Sequence, residues 1–441
     1  MKTRMTRTLI TNARLVDPAS GRDDAGAIAI DGDTIAIVAR GDDPRITDFD
    51  AMLSIDARGA VVVPGLVDLA ARLGEPGSEH AGLLESELAA AVAGGVTSLV
   101  CPPVTDPVLD EPGLVTMLKY RARSLHLARL YPLGALTQGL KGEALSEMAE
   151  LREAGCVGFS HADVAIRDTL VLHRALQYAA TFGYTVWLRP NDAWLGNGVA
   201  AKGPLATRLG LSGVPVLAET IALATIFELM RDTGARVHLC RLSSAAGIEL
   251  VRAAKAEGLP LTCDASIHQL HLIDVDIGYF DSAMRLVPPL RQQRDRDAIR
   301  AALADGTIDA LVSDHTPVME DAKHLPFAEA EPGATGLELL LGAALKWGEA
   351  TKLGMAKTLA AITSRPAAVL ARSRGAAESN RHGLEEGAVA DLCMFAADES
   401  WTVDGTTLAS RSRHTPFARY EMPGRVRCTF VAGGLAFEAA G

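Results

Sequence analysis

The stretch Val63–Gly77 reads VPGLVDLAARLGEPG and begins with an apolar run that is typical of a buried β-strand, predicted here over Ala60–Leu69. From this point onward, short aliphatic runs alternate with longer helix-like segments, which indicates a parallel sheet built from βα units. Seven further strands are predicted at Thr97–Pro102, Ala128–Leu136, Cys156–Ser160, Thr185–Pro190, Arg236–Ser243, Leu259–Ala265 and Ile308–Asp314. Eight strands close a (β/α)8 TIM barrel, so the sequence predicts an α/β fold of this kind.

The two ends of the chain have a different pattern, with short alternating runs separated by Gly and Asp turns. These runs are Leu9–Val16, Ala27–Asp31, Thr34–Val38, Leu392–Phe395 and Arg425–Val431. We expect both ends to pair into one small β-sandwich, formed by residues 1–60 and 385–441, with the barrel over residues 61–384. The composition of Arg372–Gly383 is that of a linker.

Composition and charge exclude several classes of protein. Hydrophobic residues make up 48% of the 441 residues and charged residues 22%, which is typical of a chain that buries a large core. A net charge of −11 argues against nucleic-acid binding, which needs an excess of Lys and Arg. The six cysteines form no C-x-x-C pair and are interpreted as reduced core residues. Without a signal peptide or a run of about 20 apolar residues, we expect a cytoplasmic protein without membrane segments.

The stretch Val63–Gly77 resembles the signature of type I dihydroorotases, P-G-x-x-D-x-H-x-H-L-R-E-P-G. Other family motifs are matched in the same order at Phe159–Ser160, Asn191–Asp192, Val237–Ser244, Arg285–Arg291, Asp314–Pro317, Gly336–Glu338, Thr363–Pro366 and Gly383–Asp391. Many matches in order are more specific than any single motif. The resemblance implies a member of the amidohydrolase superfamily, with a distorted (β/α)8 barrel and a β-sandwich made from both chain ends.

The residues at the family's metal positions differ from the family pattern. By the resemblance, its metal ligands fall on Ala70, Arg72, His161 or Ala162, Arg189 and Arg241. Alanine has no lone pair, and a guanidinium is always cationic and cannot accept a metal. Asp314 alone keeps its type, and the resemblance implies the family's metal ligand and general base there. We therefore expect no cofactor, with zinc only if the site has been rebuilt.

The family's substrate contacts are also replaced. The resemblance places the arginine that pairs with the dihydroorotate carboxylate at Gly74, an asparagine at Val287 and a histidine at Val318. Zinc in this family generates a hydroxide and polarises an amide carbonyl. Losing both the metal and the substrate contacts predicts a silent site.

The three arginines allow two interpretations. In the first, Arg72, Arg189 and Arg241 form a salt-bridge cluster, because buried charges are stabilised by pairing. The carboxylates expected to pair with them are Asp68, Asp192, Asp264 and Asp314. In the second, the arginines form an anion pocket, because their fork-shaped donors suit carboxylate or phosphate metabolites.

Histidine positions leave one further alternative. His161, Asp163 and Asp314 could form a rebuilt metal site, although such a site would lack firm strand anchoring. His238 and His268 lie in apolar runs and are interpreted as hydrogen-bonded core residues.

Three functions follow from this resemblance. Silent members of the family associate with the catalytic chain of aspartate transcarbamoylase, which implies that role here, in a homo-oligomer within a larger complex. The first alternative is an active dihydroorotase, or another cyclic amidase, that interconverts dihydroorotate and carbamoyl aspartate at a rebuilt site. The second is a sensor of anionic metabolites that uses the arginine pocket.

Overall fold

The computed structural model describes residues 7–375 and 382–439. Its strands are β1 (Arg7–Asp17), β2 (Arg22–Asp31), β3 (Thr34–Ala39), β4 (Leu53–Asp56), β5 (Val61–Pro64), β6 (Leu66–Asp68), β7 (Val96–Cys101), β8 (Arg129–Pro132), β9 (Gly134–Ala135), β10 (Phe159–Ser160), β11 (Thr185–Leu188), β12 (Ala200–Ala201), β13 (Gly213–Val214), β14 (Arg236–Leu239), β15 (Leu261–Ser266), β16 (Ala310–Val312), β17 (Leu392–Thr402), β18 (Glu421–Val431) and β19 (Gly434–Glu438). Its α-helices are α1 (Pro44–Thr47), α2 (Leu84–Ala93), α3 (Pro112–Ser124), α4 (Met148–Ala154), α5 (Thr169–Phe182), α6 (Pro204–Leu209), α7 (Leu217–Thr233), α8 (Ala245–Glu257), α9 (Ile267–His271), α10 (Gln293–Asp305), α11 (Glu320–Lys323), α12 (Leu340–Thr351), α13 (Met355–Ala360) and α14 (Ser364–Arg374).

Both chain ends contribute to one eight-stranded sheet with the order β19-β18-β17-β5-β1-β2-β3, in which β4 also pairs with β1. The link between the ends is the antiparallel pair β5 and β17, in which Val62 lies opposite Met394. One face of this sheet buries a core that includes Ile10, Ile28 and Phe430. The predicted lobe made from both ends is confirmed. Residues 376–381 of the predicted linker lie outside the described residues.

The barrel is a ring of parallel strands. It consists of β6-β7-β8 and β9-β10-β11-β14-β15-β16, with β8 and β9 separated by Leu133. A parallel bridge between Ala71 and His315 joins the first strand to the last, and the amide of Arg72 donates to the carbonyl of His315 at 2.8 Å. The predicted TIM barrel is therefore confirmed.

The strand predicted over Ala60–Leu69 is in fact two strands, because the chain passes from the sheet lobe into the barrel at Gly65. A Cβ atom at Gly65 would lie 2.1 Å from Oγ1 of Thr97, so only glycine permits this close approach. A second difference is the excursion after β11, where β12, α6 and β13 precede α7. These short elements lack the periodic pattern that a sequence prediction needs.

The remaining sequence expectations concern cysteines and membranes. All six cysteines are free, and all except Cys240 are buried. Within residues 7–375 and 382–439, no helix combines the length and apolar character needed to cross a bilayer.

Candidate functional site

The mouth of the barrel, at the carboxyl ends of its strands, contains three arginines around Asp163. Nη2 of Arg72 and Nη2 of Arg241 each donate a short hydrogen bond to its carboxylate. Nε of Arg189 lies 2.8 Å from Oδ1 of Asp163, and Nη2 of Arg189 donates to the backbone carbonyl of Asp163 at 3.3 Å. One carboxylate is thus shared by three guanidinium groups.

Asp314 is the second carboxylate in this mouth. Nη1 of Arg241 donates to Oδ1 of Asp314 at 3.0 Å, and Nη1 of Arg72 lies 4.0 Å from the same oxygen. Nη1 of Arg72 also donates to Oγ1 of Thr316 at 2.7 Å. We call Arg72, Asp163, Arg189, Arg241 and Asp314 the arginine–aspartate cluster.

The backbone at the strand ends orients this cluster. Ala162, Arg241 and Asp314 have φ values of 51°, 56° and 51°, in the left-handed region that residues other than glycine rarely adopt. At Arg241 the conformation is anchored by Oδ1 of Asp264, which accepts the Arg241 amide at 2.6 Å. These turns follow β10, β14 and β16 and direct the side chains into the mouth.

Burial and charge act in opposite directions on the two carboxyls. Burial alone would raise the pKa of Asp163, but the adjacent Arg241, Arg72 and Arg189 lower it well below its usual range. Burial raises the pKa of Asp314 to about 6, despite Arg241 and Arg72, and the negative charge of Asp163 adds to the increase. Burial alone would lower the pKa of Arg241, but the adjacent carboxylates of Asp163 and Asp314 raise it above the ordinary value. Asp163 is therefore the firmly ionised centre of the cluster.

Comparison with known proteins identifies the family. Residues 59–246 match the family model described as dihydro-orotase-like. A protein of Pseudomonas aeruginosa named dihydroorotase-like protein is 43% identical over 430 residues, which cover 97% of this chain and 99% of that protein. The chain belongs to the dihydroorotase-like family. A dihydroorotase of Syntrophotalea carbinolica is 37% identical over 98% of this dihydroorotase-like chain and 99% of its own length.

Solved structures agree on the fold. The L-hydantoinase of Arthrobacter aurescens superposes with a TM-score of 0.86 at 23% identity, covering 98% of this chain and 96% of that enzyme. The dihydropyrimidinase of Brevibacillus agri superposes with a TM-score of 0.83 at 18% identity, covering 98% and 95%. The fold of this dihydroorotase-like chain is thus that of the cyclic amidohydrolases.

Zinc, which the family implies, does not fit the residues in this mouth. A zinc site needs about three or more protein ligands. No side-chain atom that can bind a metal ion is provided by Ala70, Arg72, Arg189 or Arg241. Asp314 is the residue that matches the family's metal ligand in type, but one of its oxygens already accepts a hydrogen bond from Nη1 of Arg241. The cavity left between Ala70, Arg72, Trp187 and Arg241 has a volume of only about 30 Å³. Three of the positions at which the resemblance implies metal ligands are instead occupied by the guanidinium groups of Arg72, Arg189 and Arg241.

The alternative metal site of His161, Asp163 and Asp314 is not assembled. Both ring nitrogens of His161 are engaged, Nε2 with Oγ1 of Thr137 at 2.8 Å and Nδ1 with the carbonyl of Val164 at 2.7 Å. Burial lowers the pKa of His161, although the carbonyl of Val164 opposes this. Since Asp163 is surrounded by arginines, neither residue is available to a cation.

Three carboxylates that the sequence assigned to the cluster have other partners. Asp68 accepts from the amide of Ser313 at 2.9 Å and from its hydroxyl. Asp264 binds Nε2 of His238 at 2.8 Å and the backbone amide of Arg241. Asp192 accepts the amides that follow it in its own turn, those of Trp194 and Leu195. None of the three forms an ion pair with Arg72, Arg189 or Arg241, so the structure corrects the predicted partners.

Asp163 is the carboxylate that the prediction of a salt-bridge cluster missed. It follows β10 by three residues, in the turn where the family has F-S/T-D-D-G. The acidic residue in that turn is the sequence feature from which its part in the cluster could have been predicted. Its role depends on the left-handed backbone at Ala162, which the sequence does not reveal.

The three positions at which the resemblance implies substrate contacts have structural roles in this fold. Gly74 has a φ of 74°, and a Cβ there would lie 2.5 Å from the carbonyl oxygen of Gly82, so the loop has no space for the family's arginine. The carbonyl of Val287 accepts from Nη1 of Arg241 at 3.2 Å. Val318 is 1% exposed. We find no carboxylate clamp at these three positions.

His238, Cys240 and Asp264 bring three possible metal donors within 4.8 Å of one another below the cluster. Both nitrogens of His238 are already hydrogen-bonded, to Oγ1 of Thr262 and to Oδ2 of Asp264, each at 2.8 Å. Burial raises the pKa of Cys240 well above its usual value, which keeps the thiol protonated. His238 is a hydrogen-bonded core residue, and His268 is likewise buried, with Nδ1 2.9 Å from Oγ of Ser266.

Proposed function

We propose that this chain is a catalytically silent, cytoplasmic dihydroorotase homologue that acts as an assembly subunit for aspartate transcarbamoylase in de novo pyrimidine biosynthesis. The observation that carries the proposal is the arginine–aspartate cluster in the barrel mouth, beside which Arg72 and Arg241 line a cavity of about 30 Å³. Pockets for small metabolites usually have about 300 Å³ or more. The cavity beside Arg72 and Arg241 is therefore too small for a dihydroorotate molecule.

The cluster also lacks the groups that the family's reaction needs. Hydrolysis of a cyclic amide requires a hydroxide source and an electrophile at the carbonyl oxygen. The guanidinium groups that could act as electrophiles are bound to Asp163, and the general-base position at Asp314 is bound to Arg241. An active amidase would have to break these ion pairs before it could bind substrate.

The same contacts weigh against an anion sensor. An anion-binding pocket needs donors that are free to meet a ligand, whereas Arg72, Arg189 and Arg241 already share Asp163. A closed barrel with an unused mouth still offers its outer surface for association. The relative from Pseudomonas aeruginosa that is 43% identical is named dihydroorotase-like protein and not dihydroorotase, which supports this proposal.

The test combines three measurements on the purified chain. Elemental analysis should find less than stoichiometric zinc, and dihydroorotate should be neither formed nor hydrolysed above background. Mixing with the purified catalytic chain of aspartate transcarbamoylase should produce a species heavier than either protein in light scattering. Metal-dependent turnover that persists after removal of host enzyme would refute catalytic silence, and absence of any heavier species would refute the assembly role.

A further inference from the structure

The connection between β17 and β18 leaves the sheet lobe and packs on the barrel. Oγ of Ser412 accepts the amide of Val318 at 3.2 Å and donates to the carbonyl of Val318 at 3.0 Å. The amide of Thr335 donates to the carbonyl of His414 at 2.8 Å. We call residues 404–415 the strap, because they tie the lobe to the segment that follows β16.

Two carboxylates hold three consecutive residues of the strap. Oε1 of Glu338 accepts the amides of Ala409 at 2.9 Å and of Ser410 at 3.3 Å. Oε1 of Glu87 accepts the amide of Arg411 at 3.0 Å, and its Oε2 accepts the hydroxyl of Ser410 at 2.6 Å. Because both carboxylates meet the same short peptide, they lie close enough for their charges to interact.

The two carboxylates differ in the number of donors that they receive. Besides the strap, Glu87 binds Nε2 of His315 at 2.8 Å and the hydroxyl of Ser86 at 2.7 Å. Nδ1 of His315 accepts the amide of Gly336 at 3.2 Å, which leaves the ring proton on Nε2 for Glu87. Four donors stabilise the ionised form of Glu87, whereas Glu338 has two donors, both on one oxygen, among the described residues. Glu87 therefore holds the negative charge and Glu338 the proton.

Burial and neighbouring groups agree with this assignment. Burial raises the pKa of Glu338 to about 7, and the charge of Glu87 adds to the increase, although the amides of the strap oppose it. Burial alone would raise the pKa of Glu87, which is 0% exposed, but hydrogen bonds from His315, Ser410 and Ser86 lower it. Of the two acids, Glu338 is the one that titrates near neutral pH.

The elements packed around Glu338 bring no cation to it. The nearest charged groups of α2 and of the segment after β16 are Glu87 and His315, which bind each other. In α12 the first charged residue is Lys346, whose Nζ donates to the carbonyl of Glu421 at 2.8 Å. The titratable residues of the strap are Asp404, Arg411, Arg413 and His414. Among the described residues, none of these forms an ion pair with Glu338, so its ionisation would place a second buried negative charge beside Glu87.

We propose that the strap is a pH-sensitive element, which closes on the barrel when Glu338 is protonated and opens when Glu338 ionises. Phe417, just after the strap, stacks on His268 with ring centroids 5.6 Å apart. Nδ1 of His268 lies 4.0 Å from Oδ2 of Asp314. Opening of the strap therefore loosens the wall of the mouth beside the arginine–aspartate cluster. This behaviour belongs to the chain alone and does not depend on the proposed assembly role.

Linkage fixes the direction of the pH effect. In the open strap Glu338 is hydrated, and its pKa returns to the ordinary value of 4.5. The closed strap is thus favoured below that value, and the preference is lost as the pH rises to about 7. One proton is released on opening, so the opening constant should increase on the order of fiftyfold from about pH 5 to about pH 8.

Hydrogen exchange of the full-length chain measures this opening, because a bonded amide exchanges when its segment opens. Protection factors, in which the intrinsic effect of pH on exchange is removed, should fall on the order of fiftyfold from about pH 5 to about pH 8 for the amides of residues 409–411. Glu338→Gln cannot ionise but keeps an oxygen for both amides, so its protection factors should change by about twofold or less. Glu85→Gln, at an exposed position of α2, is the matched control and should behave like the parent.

Two results of this experiment would overturn the proposal. One is a set of parent protection factors that stays constant over the pH range, and the other is a Glu338→Gln protein that keeps the parent's pH dependence. If Glu338→Gln does not fold, the parent alone still gives an answer through trypsin cleavage after Arg411, which is exposed. Relative to an unstructured peptide of the same sequence, cleavage should become about tenfold faster from about pH 6 to about pH 8, since it follows the open population. A constant ratio would contradict a strap that opens with rising pH.

Discussion

Arg241 donates a hydrogen bond of 3.0 Å from Nη1 to Oδ1 of Asp314, and both side chains are buried, with 5% and 7% of their surface exposed. Nη2 of the same guanidinium donates to Asp163. Arg241 therefore bridges the two carboxylates of the barrel mouth, at a position where the sequence resemblance implies a metal ligand.

Removal of Arg241 should destabilise the fold. Arg241→Ala leaves the buried carboxylate of Asp314 without its hydrogen-bonded guanidinium partner, whereas Asp163 keeps Arg72 and Arg189, and loss of one partner of a buried ion pair typically costs about 3–5 kcal/mol of unfolding free energy. The matched control is Arg252→Ala, which breaks an exposed pair with Asp305 and should cost about 1 kcal/mol or less. Denaturant unfolding measures both values.

A double variant tests whether the loss in Arg241→Ala comes from the unpaired carboxylate. Arg241→Ala combined with Asp314→Asn should recover part of the loss, since residues in contact behave nonadditively. An Arg241→Ala protein as stable as the parent in anion-free buffer, with the parent alone stabilised by added phosphate, would instead support an open anion pocket.

The pH dependence of stability should depend on Asp314. Its pKa is raised to about 6 in the fold, so the folded state favours the protonated carboxyl and ionisation of Asp314 lowers stability. The parent should therefore lose up to about 3 kcal/mol relative to Asp314→Asn as the pH rises from about 4 to about 7. The stability that protonated Asp314 contributes is fully present below the pKa that this carboxyl has in the unfolded chain. It is lost as the pH rises through the pKa of about 6 in the folded protein.

Asp305 provides a control of opposite sign. Burial alone would raise the pKa of Asp305. Hydrogen bonds from Thr307 and Arg252 outweigh burial, so the pKa of Asp305 is lowered in the fold. The stability of the parent relative to Asp305→Asn should thus increase or stay level over the same interval. Equal pH profiles for the parent and Asp314→Asn would contradict the assignment for Asp314.

Introducing two histidines should not produce dihydroorotase activity. Ala70→His with Arg72→His supplies two donors, yet a firm zinc site needs about three or more, and the carboxylate clamp is still missing. At Gly74 a side chain would meet the carbonyl of Gly82 at 2.5 Å. Assays of dihydroorotate formation and hydrolysis should stay at background, and turnover above that level would show that the replaced ligands are the only obstacle.

Gly65 should be intolerant of any side chain. In Gly65→Ala the new Cβ would lie 2.1 Å from Oγ1 of Thr97, between the sheet lobe and the barrel, and overpacking typically costs about 1–3 kcal/mol. Gly113→Ala, in α3, meets no atom within 4 Å and should be neutral or stabilising by up to about 1 kcal/mol. A melting temperature of Gly65→Ala equal to that of the parent would mean that β5 and β6 can move apart.

Much of the fold was accessible from the sequence, because periodicity is a local property. The barrel strands follow from apolar runs that alternate with helical segments, and the lobe follows from alternating runs at the two ends. The absence of metal donors at Ala70, Arg72, Arg189 and Arg241 is likewise a matter of residue type alone. A methyl group or a guanidinium cannot ligate zinc wherever it points.

Only the tertiary structure decided which acid pairs with the arginines. Asp68, Asp192 and Asp264 were as plausible by position, but their carboxylates bind backbone amides, hydroxyls or His238. Asp163 reaches all three guanidinium groups because the chain turns through a left-handed conformation at Ala162 just after β10. A side chain's partner depends on backbone dihedral angles and on distances between segments far apart in sequence, and neither quantity is encoded in the local pattern of residue types.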